Sequence, residues 1–217
     1  MTGIKSASKC LFGGALLSAG LTVGSASAQQ FQLGYTAAHL AVYEFGSFNS
    51  DYQSHFTYGD VNLSVAVSGD SAYANGTLVM NASGMSAKAT AGSFGAYAYS
   101  HDHDLITYFT VDQNFNATVD WDFTQANSSY TNYLTIIDAD NNLTVFDHDS
   151  DAGTTQVSFT AGTNYVMFAL SDVTAANFGE VGTSRWSITV PAPGSAGLLG
   201  LAGVIAARRR RTAPRTE

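Results

Sequence analysis

Two acidic runs near residue 140 carry the side chains best suited to chemistry. Asp138, Asp140 and Asn142 alternate, and Asp147, Asp149 and Asp151 alternate again just before Gly153. Calcium takes about six to eight hard oxygen ligands, and a D-x-D-x-[DN] turn supplies several of them from one tight loop. Neither run completes an EF-hand. Counted from Asp138, the sixth position is Leu143 where glycine is needed, and the twelfth is Asp149 where a bidentate Glu is needed. Counted from Asp147, the twelfth position is Ser158. Both turns at one end of the fold would let the six residues share a Ca2+ ion. Against that stands the plain role of Asp and Asn as turn formers on an acidic surface.

Three further groups could act chemically. His101 and His103, in HDHD, fall on one face of an extended chain at a spacing that chelates zinc. Only His39, His55 and His148 remain to join them, and nothing in the sequence brings those three near. The pair reads as a polar lead-in to the strand LITYFTV. Asp120 and Asp122 have the carboxylate pairing of glycoside hydrolysis, but their alternation with Val119, Trp121 and Phe123 makes them a solvent-facing stripe. G-x-S-x-G, H-E-x-x-H and a phosphate-cradling glycine loop are all absent, so no catalytic residue is assigned and a non-enzymatic protein is expected. Tyrosines are the better lead. Tyr35, Tyr43, Tyr52, Tyr58, Tyr97 and Tyr99 crowd the first hundred residues. Sugar-binding sandwiches use such rings as an aromatic face, and ordinary core and cross-strand packing is the alternative.

The elements that must position these groups are strands. In Asn116–Phe123, Ala117, Val119, Trp121 and Phe123 face one way while Thr118, Asp120 and Asp122 face the other, the period of a half-buried strand. Arg185–Val190 repeats the pattern with Trp186, Ile188 and Val190 inward. Tyr165–Leu170 is apolar on both faces and suits a central strand. Strands are also expected at 61–67, 76–82, 105–111, 133–138, 143–146 and 155–159. No segment between Gln29 and Val190 has a helical apolar stripe, and no proline interrupts it. Many short strands with turn signals between them predict an all-β fold, a single β-sandwich of jelly-roll-like form. Before Ser100 the pattern weakens. The Ala/Ser/Gly-rich stretch ASGMSAKATAGSFGAYAYS reads as edge strands or an exposed flexible segment. Six N-x-S/T triplets, at Asn62, Asn75, Asn81, Asn116, Asn127 and Asn142, fall among these Asn-, Ser- and Thr-rich strands and turns.

Charge sharpens the class. Of 17 acidic and nine basic residues, 16 acidic residues but only Lys88 and Arg185 lie between Gln29 and Val190, a formal charge of about −14. Phosphate-backbone affinity rests on Lys and Arg, so nucleic-acid binding is excluded.

Both ends read as sorting signals. Lys5 and Lys9 precede the apolar stretch Cys10–Gly24, and Ala26-Ser27-Ala28 supplies small residues at −3 and −1. This is the pattern of a secretory signal peptide over 1–28, cut by signal peptidase between Ala28 and Gln29. Cys10, the one cysteine, stands at the start of the apolar stretch and is removed with it, so the mature chain has neither disulfides nor thiolate sites. At the other end, the 14 residues Gly194–Ala207 are all Gly, Ala, Ser, Leu, Val or Ile, shorter than the roughly 20 of a comfortable span. Arg208, Arg209, Arg210 and Arg211 end the run, hold 212–217 in the cytoplasm and leave 29–190 outside.

Pro191-Ala192-Pro193, the apolar GLLGLAGVIAA and the arginine cluster, in that order, resemble the PEP-CTERM sorting signal, here over 191–211. The family's usual central Glu is Ala192 in this chain. The resemblance implies an exosortase, a membrane-embedded transpeptidase-like enzyme of Gram-negative bacteria, as processing partner. It also implies transient inner-membrane anchorage by a short apolar helix, and delivery to the cell surface or extracellular polysaccharide. A second resemblance covers Tyr133–Leu170. A strand ending in Asp138, the turn Asp140-Asn141-Asn142, a second strand, and a strand introduced by Ala161–Tyr165 resemble hairpins of bacterial pre-peptidase C-terminal domains. That likeness implies a non-catalytic sandwich and no particular ligand. The expectation is therefore a structural or adhesive component of the surface or exopolysaccharide matrix, with a carbohydrate-binding module, assisted by Ca2+, as the alternative.

Overall fold

The computed structural model describes residues 30–128 and 130–190, without the side chains of 101–104. The expected signal peptide, its cleavage residues Ala26, Ala28 and Gln29, and everything from Pro191 onward, including Ala192, Pro193 and Arg208–Arg211, lie outside the described residues.

In chain order the strands are β1 (Phe31–Glu44), β2 (Asn49–Tyr58), β3 (Val61–Ser68), β4 (Ala72–Asn81), β5 (Gly84–Ser93) and β6 (Ala98–Val111), then β7 (Phe115–Gln125), β8 (Tyr133–Asp138), β9 (Leu143–Asp149), β10 (Ala152–Phe159), β11 (Tyr165–Ala175) and β12 (Val181–Thr189). They form two six-stranded antiparallel sheets. Sheet A runs β2-β1-β6-β11-β8-β9, and sheet B runs β10-β7-β12-β5-β4-β3. The sheets stack face to face, β1 over β4 and β11 over β5 and β12. Among the described residues there is no helix, as the sequence pattern predicts.

Period two explains the layering. Along β7 and β12 every second residue is buried, and Ala117, Val119, Trp121, Trp186 and Ile188 enter the core. β11 is buried on both faces and lies between β6 and β8. Near the chain's entry into the fold, Phe31 meets Phe109, Phe115 and Phe159 edge to face, with ring centroids 5.4, 5.5 and 5.7 Å apart. Burying each such ring stabilises the fold by about 2 kcal/mol, and edge-on contact suits the ring quadrupoles.

The first half of the chain corrects the sequence reading. The stretch taken for edge strands or a flexible segment contains β5, an inner strand of sheet B between β12 and β4. Its inward residues Ala87, Ala89 and Ala91 keep the period but carry little apolar surface, so the strand has no strong hydrophobic signal. β1 and β2 are two further strands. In β1 the register slips between Leu33 and Thr36 and again between Ala37 and His39, which breaks the alternation. Gly34 sits at the first slip, where a Cβ would meet the Tyr108 carbonyl oxygen at 2.9 Å.

One side of the sandwich is closed by side chains. Asp51 and Gln53 of β2 accept the backbone N–H groups of Ala66 and Ser64 on the edge strand β3, each at 3.1 Å. They occupy donors that a foreign strand would otherwise pair with.

Candidate functional site

The six tyrosines singled out in the sequence come together on one surface. In antiparallel register, Tyr35 of β1 faces Tyr58 of β2, Ala41 faces Tyr52, and Tyr43 faces Tyr99 of β6. These positions alternate with the core residues Leu40 and Val42, so their rings project from the outer face of sheet A. Tyr35 and Tyr58 lie 5.7 Å apart, Tyr43 and Tyr99 6.1 Å. The stripe continues past the strand ends through Phe45, 6.4 Å from Tyr43 and 5.2 Å from Tyr97. Phe56, opposite Ala37, extends it, and Phe48 stands exposed at the β1–β2 turn. Tyr52 is 70% exposed, Tyr58 74% and Phe48 85%. An aromatic surface of this extent is a mark of an interaction site.

Its upper end is held by two buried polar groups. Glu44 closes β1 at 1% exposure. Its carboxylate accepts the backbone N–H groups of Gly46 at 2.7 Å and Ser47 at 2.8 Å, which fixes the turn that presents Phe45 and Phe48. Phe48 takes a left-handed φ of 55° there. Beneath Tyr99 lies Asp172 of β11, fully buried, with the Tyr99 hydroxyl donating to its Oδ2 at 3.5 Å. Burial, and secondly the Asp172 charge, hold the Tyr99 pKa well above the usual tyrosine value. Asn132 anchors the strand carrying Asp172. Its Oδ1 accepts the Asp172 N–H and the Ser184 hydroxyl, and its Nδ2 donates to the Asp172 carbonyl at 2.9 Å. Ser184 belongs to sheet B, so this one buried amide ties the two sheets together.

The acidic runs are separated. Asp138, Asp140 and Asn142 form the β8–β9 turn, whereas Asp149 and Asp151 lie at the other end of β9, beside the β9–β10 turn. Seven residues of strand between them span about 20 Å, so the two runs do not share one ion. Their carboxylates serve as acceptors within the fold. Asp138 takes the N–H and side-chain amide of Asn141, and Asp140 those of Asn164. Asp147 takes the Thr135 hydroxyl at 2.7 Å. Asp151 takes the Trp121 indole N–H at 2.6 Å and faces His148 Nδ1 at 3.1 Å. The asparagine amide lowers the Asp140 pKa, and the indole bond first of all lowers that of Asp151. Among the described residues no three His, Cys, Asp or Glu side chains are placed to hold a metal ion together.

The histidines fall differently from the sequence reading. HDHD lies within β6, and its backbone register sets His103 opposite His39, which nothing in the sequence placed there. His55 lies on β2 opposite Ala38, and His148 packs on Trp121 at 4.2 Å. Asp120 and Asp122 project from the outer face of sheet B. Asp120 accepts the Thr154 hydroxyl, and Asp122 lies 3.9 Å from Arg185.

No family model matches the chain, and no curated protein matches it. The sequence named the tyrosines of the stripe but not Phe45, Phe48 or Phe56. Phe56 is placed by the pairing of β1 with β2, and Phe45 and Phe48 by the turn between them, visible only once those two strands are recognised.

Proposed function

We propose that this protein is an exported bacterial surface component whose sandwich adheres to extracellular polysaccharide through the aromatic outer face of sheet A. The observation that carries the reading is the row Tyr58, Tyr35, Tyr52 and Tyr43, with exposed rings on β1 and β2, continued onto β6 by the half-buried Tyr99. Tyrosine gives a flat apolar body for the C–H face of a sugar and a hydroxyl for its oxygens. His39 and Ser54, hydrogen-bonded at 2.7 Å between the rings, add polar groups to the same surface.

The rest of the reading comes from the sequence. The signal peptide and the PEP-CTERM-like tail direct the domain outward, with an exosortase as processing partner and a jelly-roll-like sandwich as cargo. No step in it requires catalysis. The test is co-sedimentation of the purified protein with the exopolysaccharide of its own host, in calcium and in EDTA. Saturable binding supports adhesion, and its loss in EDTA would assign Ca2+ to one of the acidic turns, Asp138–Asn142 or Asp147–Asp151. Absence of binding in both buffers overturns the polysaccharide reading.

A further inference from the structure

The opposite outer face, that of sheet B, has a different chemistry. It holds a groove of about 650 Å3. In register across the strands, Thr77 of β4 faces Lys88 of β5, Lys88 faces Arg185 of β12, and Arg185 faces Asp122 of β7. The next row carries Ser86, Ser187 and Asp120 in the same order. Lys88 and Arg185 are the only basic residues between Gln29 and Val190, among 16 acidic ones, yet each has the other as a directly opposed neighbour. Like charges opposed across a sheet destabilise it. Neither is used up internally: Arg185 is 65% exposed with Asp122 3.9 Å away, and Lys88 has no ion pair among the described residues.

We infer that this groove binds a carboxylate-bearing sugar, the uronate class. The guanidinium fork of Arg185 matches a carboxylate bidentately, with Lys88 as a second point charge beside it. The neighbouring Ser86, Ser187 and Thr77 hydroxyls and the Asp120 and Asp122 carboxylates match a ligand that also presents many hydroxyl donors. Those same carboxylates repel a phosphate dianion more strongly than the single charge of one sugar carboxylate. This site lies on the other side of the sandwich from the tyrosine stripe and does not depend on it. A chain able to engage sugar on both faces would cross-link polysaccharide rather than only coat it.

The test is titration calorimetry of the purified protein with trigalacturonate, its methyl ester, and inorganic phosphate. The acid binds, and rising salt weakens it. The ester, the same shape without the charge, binds at least about tenfold more weakly, and phosphate more weakly still. Lys88→Gln/Arg185→Gln abolishes the preference for the acid while the variant still melts cooperatively as a folded domain. Equal affinity for acid and ester, tighter binding of phosphate, or an unchanged acid preference in the folded double variant would each overturn the assignment. Binding of the acid unaffected by Tyr52→Ala/Tyr58→Ala separates this site from the aromatic face.

Discussion

Tyr43 and Tyr99 stack across β1 and β6 with their ring planes 29° apart, and the Tyr99 hydroxyl reaches back to the buried carboxylate of Asp172. The aromatic surface is thus coupled to the interior at this point. The coupling has a pH signature. An unfolded tyrosine ionises near pH 10, whereas folded Tyr99 keeps its proton beyond that value, chiefly because it is buried. Above about pH 10 the folded state therefore binds more protons than the unfolded one, and stability falls as pH rises. Urea unfolding at neutral pH and above pH 10 should show this loss, and Tyr99→Phe should reduce it. At neutral pH the same substitution should cost less than about 1 kcal/mol, because a 3.5 Å contact is a weak bond.

Asn132 should matter far more than its size suggests. Replacing it with Ala leaves the Asp172 N–H and carbonyl and the Ser184 hydroxyl without these partners at a buried position. Stranded buried polar groups are costly, so Asn132→Ala should lower stability by about 2–4 kcal/mol in denaturant titrations. Ser184→Ala, which removes one bond and leaves the other two, should cost about 1 kcal/mol. Equal losses in the two variants would show that the amide does not tie the sheets together.

Asp151 provides an acid-side counterpart. Its pKa is held below the usual carboxylate value, first by the Trp121 indole bond and then by His148. A depressed carboxylate stabilises the fold above its unfolded pKa of about 3.9, and the contribution disappears as pH falls through the folded value. Asp151→Ala should therefore be less stable than the parent at neutral pH, and the gap should close below about pH 3.9. A gap that persists undiminished in acid would mean that the side chain acts through packing alone.

How far the sequence carries depends on the strand. β7, β12 and β11 were legible because strong apolar residues mark their inward faces. β5 kept the same period with Ala87, Ala89 and Ala91, too small to register as core residues although all three are buried. β1 was hidden by two register slips, and β2 by its place at the edge, where Asp51 and Gln53 turn inward to bind β3 instead of packing as apolar residues. The candidate site suffered from the same gap. Six tyrosines were countable, but their meeting on one face follows from the pairing of β1 with β2 and β6. Likewise the two cations were evident from composition, and only the β5–β12 register sets them opposite each other. The acidic turns show the reverse case, a pattern close in sequence that β9 pulls to opposite ends.

The most direct test of the adhesive reading is co-sedimentation with host exopolysaccharide in the Lys88→Gln/Arg185→Gln background, so that the groove of sheet B does not contribute. There, Tyr52→Ala/Tyr58→Ala should weaken binding about tenfold or more with little change in stability, since both rings are largely exposed. Thr118→Ala/Gln156→Ala, on the outer face of sheet B, should leave it unchanged. Binding undiminished by loss of the two tyrosines would contradict the account.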